Sequence, residues 1–172
     1  MMRVASATGR TTRIVRLRPQ HTSSPCREAS RRRILVNITL TVPGAPVPME
    51  RARRGRHGNW YTPANSLEYR TRIQTAWMQA GRPSFDAQPL SINAHVYIPR
   101  PKSHYTTAGD LKPKHETAIP PGDTDNYAKA IADALNQLAY KDDTQITCWA
   151  AISKHWTTPG LEHTTIQLWS HA

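Results

Sequence analysis

The chain has 172 residues, 38% apolar and 7% aromatic, which suffices for one domain with a modest core. No run of about 18 apolar residues occurs, so a membrane-spanning helix is excluded. The two cysteines, Cys26 and Cys148, stand far apart in no paired spacing, which speaks against a disulfide framework and a Cys-type zinc site. The formal net charge is +11 and the pI near 10.3, a balance that favours polyanionic partners.

In chain order, most of that charge comes first. Residues 1–33 hold nine arginines against one acid, Glu28, whereas residues 34–172 hold fourteen Lys/Arg against eleven Asp/Glu. The leader is rich in Ser and Thr and poor in large apolar residues. Such a segment buries too little surface to offset its chain entropy, so residues 1–33 are expected to form a disordered basic extension. A nucleic-acid arm, an organelle transit peptide and a dispensable tail all fit this composition. No apolar stretch of a secretory signal follows the first arginines. The domain is expected over 34–172.

Ile34–Val42 alternates, with Val36, Ile38, Leu40 and Val42 on one face, and predicts a strand. Three prolines and Gly44 end it. Residues 49–63 predict a basic loop, with Trp60 and Tyr61 against a sheet edge. A helix is expected from about Asn65 to Ala80, with Leu67, Ile73, Ala76, Trp77 and Ala80 as its apolar stripe and Gly81 at its stop. Leu90–Ile98 alternates cleanly and predicts a half-buried strand. Residues 99–122, with five prolines and two glycines, predict a long irregular loop. A helix follows over about Thr124–Leu138, its buried stripe being Tyr127, Ile131, Leu135 and Leu138. Residues 145–155 predict a strand with Ile146, Cys148, Ala150 and Ile152 on one face, and Cys148 a small buried apolar residue. Thr158-Pro159-Gly160 then turns the chain into a last strand, Glu162–Trp169, placed beside its predecessor as a hairpin. The order β-α-β-α-β-β implies an α/β (α+β) fold, a mixed β-sheet with two main helices packed on it.

Five of the domain's eleven acids fall between 123 and 143: Asp123, Asp125, Asp133, Asp142 and Asp143. Asp123 precedes the second helix. Asp125, Lys129 and Asp133 share one of its faces at i, i+4, i+8. Asp142 and Asp143 lie just before a strand. A helix of fifteen residues spans about 22 Å, so only the return of the chain along the helix can bring Asp143 toward Asp123 and Asp125. Gathered carboxylates repel, and protons or a cation must relieve them. Aspartates without His or Cys suit a hard divalent ion, Mg²⁺ or Mn²⁺, which can activate water and clamp a phosphodiester. Lys129 would hold the water or offset developing charge. The same residues also fit plainer roles. Asp123, Thr124 or Asp125 can cap the helix, Lys129 can pair with Asp125 or Asp133, and the 141–144 segment can be a solvated turn.

Taken together, DTDNYAKAIADALN followed by YKDDTQI resembles the RusA family of crossover junction (Holliday junction) endodeoxyribonucleases. PGAPVPMERARR and WYTP upstream are similar to that family's opening strand, basic loop and Tyr-Thr-Pro. The resemblance covers about residues 36–169. It implies a RusA-like fold and a Mg²⁺-dependent (Mn²⁺ as substitute), homodimeric, structure-specific nuclease. Such an enzyme resolves four-way DNA junctions by paired phosphodiester hydrolysis in recombination and repair. It further implies a cytoplasmic, DNA-associated protein of a bacterial or phage-infected cell. By the motif, Asp123, Asp125 and Asp143 match the metal-binding catalytic acids and Lys129 the catalytic lysine. Gly122 stands where the family usually has Pro, and Tyr127 where it usually has Leu.

Arg51, Arg53, Arg54 and Arg56, with Trp60 and Tyr61 nearby, are candidate DNA contacts, since arginines grip phosphates and aromatics stack on bases. Lys102, Lys112 and Lys114 in the long loop are further candidates, and a merely solvated loop is the alternative for each set. His155, His163 and His171 read as surface residues. Trp149, Trp156 and Trp169 read as core or dimer-interface packing. A non-catalytic DNA-binding protein and a metal nuclease for other branched DNA are the rival functions.

Overall fold

The computed structural model describes residues 34–50, 53–54 and 58–171. The expected N-terminal extension, Arg51 and Arg56 therefore lie outside the described residues. The elements are β1 (Ile34–Pro43), β2 (Arg53–Arg54), β3 (Trp60–Tyr61), α1 (Ala64–Gln79), β4 (Leu90–Pro99), α2 (Thr124–Leu135), β5 (Ile146–Thr157) and β6 (His163–His171).

Four strands form one mixed sheet in the order β1-β6-β4-β5, and β2 with β3 makes a separate antiparallel ribbon. β6 runs antiparallel to both β1 and β4, while β5 runs parallel to β4. The expected terminal hairpin is therefore corrected. β5 and β6 flank β4 on opposite sides, because β5 already owes its pairing to the crossover that begins at the end of β4. The turn at Thr158–Leu161 is present, with Leu161 N donating to Thr158 O at 3.0 Å. It carries the chain past β4 rather than back along β5.

β4 obeys its alternation. Leu90, Ile92, Ala94 and Val96 are fully buried and Ile98 nearly so. β1 enters the core gradually, from exposed Val36 through half-buried Ile38 to buried Leu40 and Val42. Both helices cover this face: α1 packs on β1, α2 on β5, and the helices on each other. One core joins Leu40, Val42, Ile92, Ile166 and Leu168 to Ile73 and Trp77 of α1 and Ile131 and Leu135 of α2. Burying side chains of this size stabilises by roughly 1.5–3 kcal/mol each.

α1 starts at Pro63, whose fixed φ suits a helix entry, and is followed by Ala80 and by Gly81 at φ +90°. Its buried stripe is Tyr69, Ile73, Ala76 and Trp77, whereas Leu67 and Ala80 are exposed. The aromatic Tyr69 takes the place expected for Leu67 because its hydroxyl meets the buried Thr164 hydroxyl at 2.8 Å. That buried phenol is pushed up to about 12 by desolvation. α2 ends at Leu135, one turn early, since Asn136 is extended and Gln137 takes φ +61°. Leu138 is thereby turned out to solvent, and Ala139 and Tyr140 enter the core instead.

Trp60 and Tyr61 do not lie on the sheet edge. They pair with Arg54 and Arg53 in the β2–β3 ribbon and stand 71% and 50% exposed. The 99–122 segment is organised rather than irregular. It holds 3₁₀ turns at Lys102–His104 and Pro113–His115, and its His104 and His115 rings stack at 3.9 Å. Trp156 of β5 anchors it, donating its indole N–H to Ala118 O at 2.7 Å beneath the Arg100 guanidinium.

β5 departs furthest from its pattern. Ser91 pairs with Cys148, Ile92 with Trp149 and Asn93 with Ala151, so Thr147 and Ala150 are bulged out of register. Each bulge shifts the alternation by one residue. The face opposite Leu90, Ile92 and Ala94 is therefore Ile146, Trp149 and Ile152, not the expected Ile146, Cys148, Ala150 and Ile152. Thr147 donates its hydroxyl to Leu90 O at 3.1 Å, which satisfies backbone at the first bulge. Cys148 is buried as expected, but on the sheet's other face. On that face Tyr97 stacks on His163 at 4.3 Å and on His155 at 5.1 Å.

Candidate functional site

The parallel pair β4–β5 forces α2 to run antiparallel to both strands. Tyr127, in the first turn of α2, accordingly packs with Val96 and Ile98 near the end of β4. Asp143 instead precedes Ile146, the partner of Leu90 at the start of β4. Between α2 and β5 lies an open groove of about 470 Å³. The helix contributes Thr124, Asp125, Ala128, Lys129 and Ala132, and the strand side contributes Asp143, Ile146, Trp149 and Ile152.

Three of the four expected catalytic residues thus rim one groove. Asp125 and Lys129 come from α2, with Lys129 Nζ 3.9 Å from Asp125 Oδ2. Asp143 comes from the 3₁₀ turn Asp143–Gln145. Asp123 lies outside the lining, at the N-cap position of α2, and its side chain makes no capping hydrogen bond. All four side chains belong to exposed residues. Among the described residues, no three His, Cys, Asp or Glu side chains are grouped to hold an ion. Asp125 stands toward the end of the groove where the strands finish, and Asp143 toward the end where β5 begins.

The local chemistry separates the neighbouring acids. Asp142 is a cap: its carboxylate accepts Thr144 N–H at 2.9 Å, and Gln145 returns the favour to the Asp142 N–H at 3.3 Å. These bonds from Thr144 hold the Asp142 carboxyl below its usual range. Gln145 also donates to Gln88 O, tying the turn to the start of β4. With Asp142 fixed this way, Asp143 is left to face the groove. Tyr140, buried and close to Asp143 and Asp133, has its phenol pushed up, chiefly by desolvation.

The other end of the groove is set by residues that sequence reasoning missed. Lys154 of β5 donates to Pro120 O at 2.8 Å and to Gly122 O, fixing the backbone just before Asp123. The signal for it was absent from local sequence, since Lys154 lies some thirty residues away and meets the loop only through the sheet. Gly122 sits at φ +77°, and a Cβ there would come within 2.9 Å of the Tyr127 ring. The two departures from the family pattern are one feature: Gly122 leaves the space that Tyr127 fills, and Tyr127 donates its hydroxyl to Pro121 O at 3.3 Å.

Of the expected DNA contacts, Arg54 is exposed on β2, beside Trp60. Arg53 belongs to β2, and Arg51 and Arg56 lie outside the described residues. Lys102 and Lys114 are exposed. Lys112 donates its ammonium to Ser103 O at 2.8 Å, so part of its capacity is spent inside the loop.

The family described as endodeoxyribonuclease RusA matches residues 43–167, which include both helices and the groove. A curated relative, an uncharacterized protein YqaN of Bacillus subtilis (strain 168), is 33% identical over 115 residues, covering 63% of this chain and 81% of the relative. The chain belongs to the RusA endodeoxyribonuclease family.

Proposed function

We propose that this member of the family is a divalent-metal-dependent endonuclease that cuts four-way DNA junctions as a homodimer, serving recombination and repair. The observation that carries the reading is the placement of Asp125, Lys129 and Asp143 on one groove, in the order of the family motif. Asp123, Asp125 and Asp143 are the carboxylates that would hold Mg²⁺, with Mn²⁺ as a substitute. The donors suit the ion chemically, being all oxygen and exposed, and Mg²⁺ takes one or two carboxylates together with substrate phosphate, so the three need not close on one another as a protein cage. When bound, the ion supplies positive charge at the scissile phosphodiester and lowers the pKa of attacking water.

The chain's own residues do the rest. Lys129 screens Asp125 and presents an ammonium at the groove mouth, where phosphorane-like charge develops. Lys154 and the Gly122–Tyr127 contact orient the backbone that carries Asp123 and Asp125. Arg51, Arg53, Arg54 and Arg56, with Lys102, Lys112 and Lys114, are the proposed phosphate contacts, and binding to them weakens with salt. Two copies related by a twofold axis would place paired sites on a junction whose arms share that symmetry.

The test is direct. Labelled four-way junction and linear duplex are incubated with the protein, with and without Mg²⁺. Symmetric nicks on the junction alone, requiring Mg²⁺, are expected. Asp123→Asn, Asp125→Asn and Asp143→Asn are expected to bind the junction and to lose at least 10²-fold in cutting rate. Full cutting by all three variants refutes the site assignment. Binding without cutting by the parent chain leaves a DNA-binding protein, and equal cutting of flaps or forks leaves a broader branched-DNA nuclease.

A further inference from the structure

Away from the groove, the β2–β3 ribbon exposes aromatic surface that the core does not use. Trp60 is 71% exposed and Tyr61 50% exposed, and neither belongs to a core cluster. Among the described residues, the Trp60 indole has no ring contact and no hydrogen bond. Opposed residues of an antiparallel pair point to the same face, so Arg54 lies beside Trp60, while Tyr61 points to the other face. A ribbon two residues long adds little stability of its own, so folding does not account for a tryptophan there. The root of the ribbon fixes where that surface stands. Met49 N donates to Asn126 O at 2.9 Å, in the first turn of α2. Met49 and Thr62 line a small cavity of about 90 Å³ together with Ala130 and Asp133 of the same helix. Asp125 and Lys129, which rim the groove, form the exposed crest of α2 between that groove and the ribbon. A helix is about 10–12 Å across, so the root of the ribbon and the acidic rim are neighbours on one surface.

Charge decides the occupant. Residues 49–63 hold four arginines against one acid, Glu50. Glu50 is engaged, with Asn65 donating to it at 3.4 Å. Arg70 and Asp133 on the wall of the root cavity add one charge of each sign, as Lys129 and Asp125 do on the crest. The excess on the ribbon is therefore cationic. A flat indole beside a guanidinium matches a base next to its phosphate. We propose that the β2–β3 ribbon is a branch-point wedge. Trp60 stacks on the base face laid open where the strands of branched DNA part, and Arg54 holds the adjoining phosphate. Continuous duplex offers no such face along its length, and inserting an indole there costs unstacking. The wedge thus sets the preference for branched DNA, while phosphate contacts supply the affinity that both forms share. The groove between α2 and β5 stays open to metal and phosphate. This inference rests on the nuclease reading above, and it makes Trp60 a specificity-determining residue.

The experiment reads binding in EDTA, so that it does not depend on cutting. A four-way junction and a linear duplex carry 2-aminopurine in place of one adenine, at the branch point or in mid-arm. They are titrated with the parent chain, Trp60→Ala, Trp60→Phe, Arg54→Ala and Leu67→Ala, each checked for an unchanged thermal melt. In the parent, 2-aminopurine fluorescence is expected to change on binding at the branch point and not in mid-arm. Trp60→Ala is expected to lose that response and about tenfold in junction affinity, with duplex affinity unchanged. Trp60→Phe is expected to keep most of both. Arg54→Ala is expected to weaken junction and duplex alike and to lower the salt slope by about one. Leu67→Ala, which removes an exposed apolar side chain of α1, is expected to bind as the parent does. The proposal is overturned if Trp60→Ala keeps the preference for the junction, or if it retains the 2-aminopurine response. It is equally overturned if sedimentation shows that Trp60→Ala changes the oligomeric state of the DNA-free chain, since the ribbon is then a contact between copies. Mg²⁺-dependent cutting by the parent alongside a failed wedge leaves the nuclease reading standing. An absence of cutting together with the expected binding pattern removes that reading and keeps the wedge.

Discussion

β4 and β5 lie side by side in parallel and were built by opposite rules. β4 alternates without a break, and its five core-facing side chains are all buried. β5 is interrupted at Thr147 and Ala150, and its helix-facing residues Ile146, Trp149 and Ile152 are only partly covered. The regular strand supplies stability, and the irregular strand supplies a groove with an acidic rim. Local regularity and function part company here because a bulge sacrifices ladder pairing to aim a side chain.

The two strands should therefore separate under mutation. Ile92→Ala in β4 is expected to have the largest effect on folding, about 2–5 kcal/mol by urea or thermal denaturation, with the specific activity of the remaining folded protein unchanged. A loss of activity beyond the loss of folded protein would erase the distinction between the strands. Gly122→Ala belongs to the crossover that feeds the groove. Its positive φ and its contact with Tyr127 predict a loss of about 1–3 kcal/mol, together with reduced cutting through displacement of Asp123. Retention of both would show that the loop tolerates rearrangement.

Thr147→Val keeps the shape of the bulge residue and removes its hydrogen bond to Leu90. A loss of about 0.5–1.5 kcal/mol is expected, and a shift in Trp149 fluorescence should report any change in the aim of the indole. Asp142→Asn tests the cap beside the groove and should have the smallest effect at neutral pH. The Asp142 carboxyl is held below its usual range in the folded chain, chiefly by Thr144. Its contribution is therefore complete above the unfolded value of about 3.9 and is lost as pH falls through the lower folded value. The parent chain's acid-denaturation curve should be steeper in that window than the Asn variant's, and coincident curves would mean that the cap is energetically silent.

Much of this molecule was legible in the sequence. The alternations of Ile34–Val42 and Leu90–Ile98 and the helix stop at Gly81 follow from period and turn chemistry within a few residues. The errors along the two helices share one cause. Leu67 and Leu138 fit a helical stripe, yet Tyr69 and Tyr140 took the core because each has a hydrogen-bond partner waiting there, Thr164 and Ala132 O. Trp60 and Tyr61 left the sheet edge because their own ribbon with Arg53 and Arg54 satisfied their backbone first.

The sequence by itself determined the α+β class and the family, because hydrophobic period and motif spacing are written locally. Only the tertiary structure decided that β6 lies between β1 and β4, that Trp149 faces α2, and that Asp125 and Asp143 share a groove while Asp123 stands beside it. Those outcomes depend on which strand pairs with which and on two bulges in the pairing. Partners of that kind lie tens of residues apart, where no local pattern can specify them.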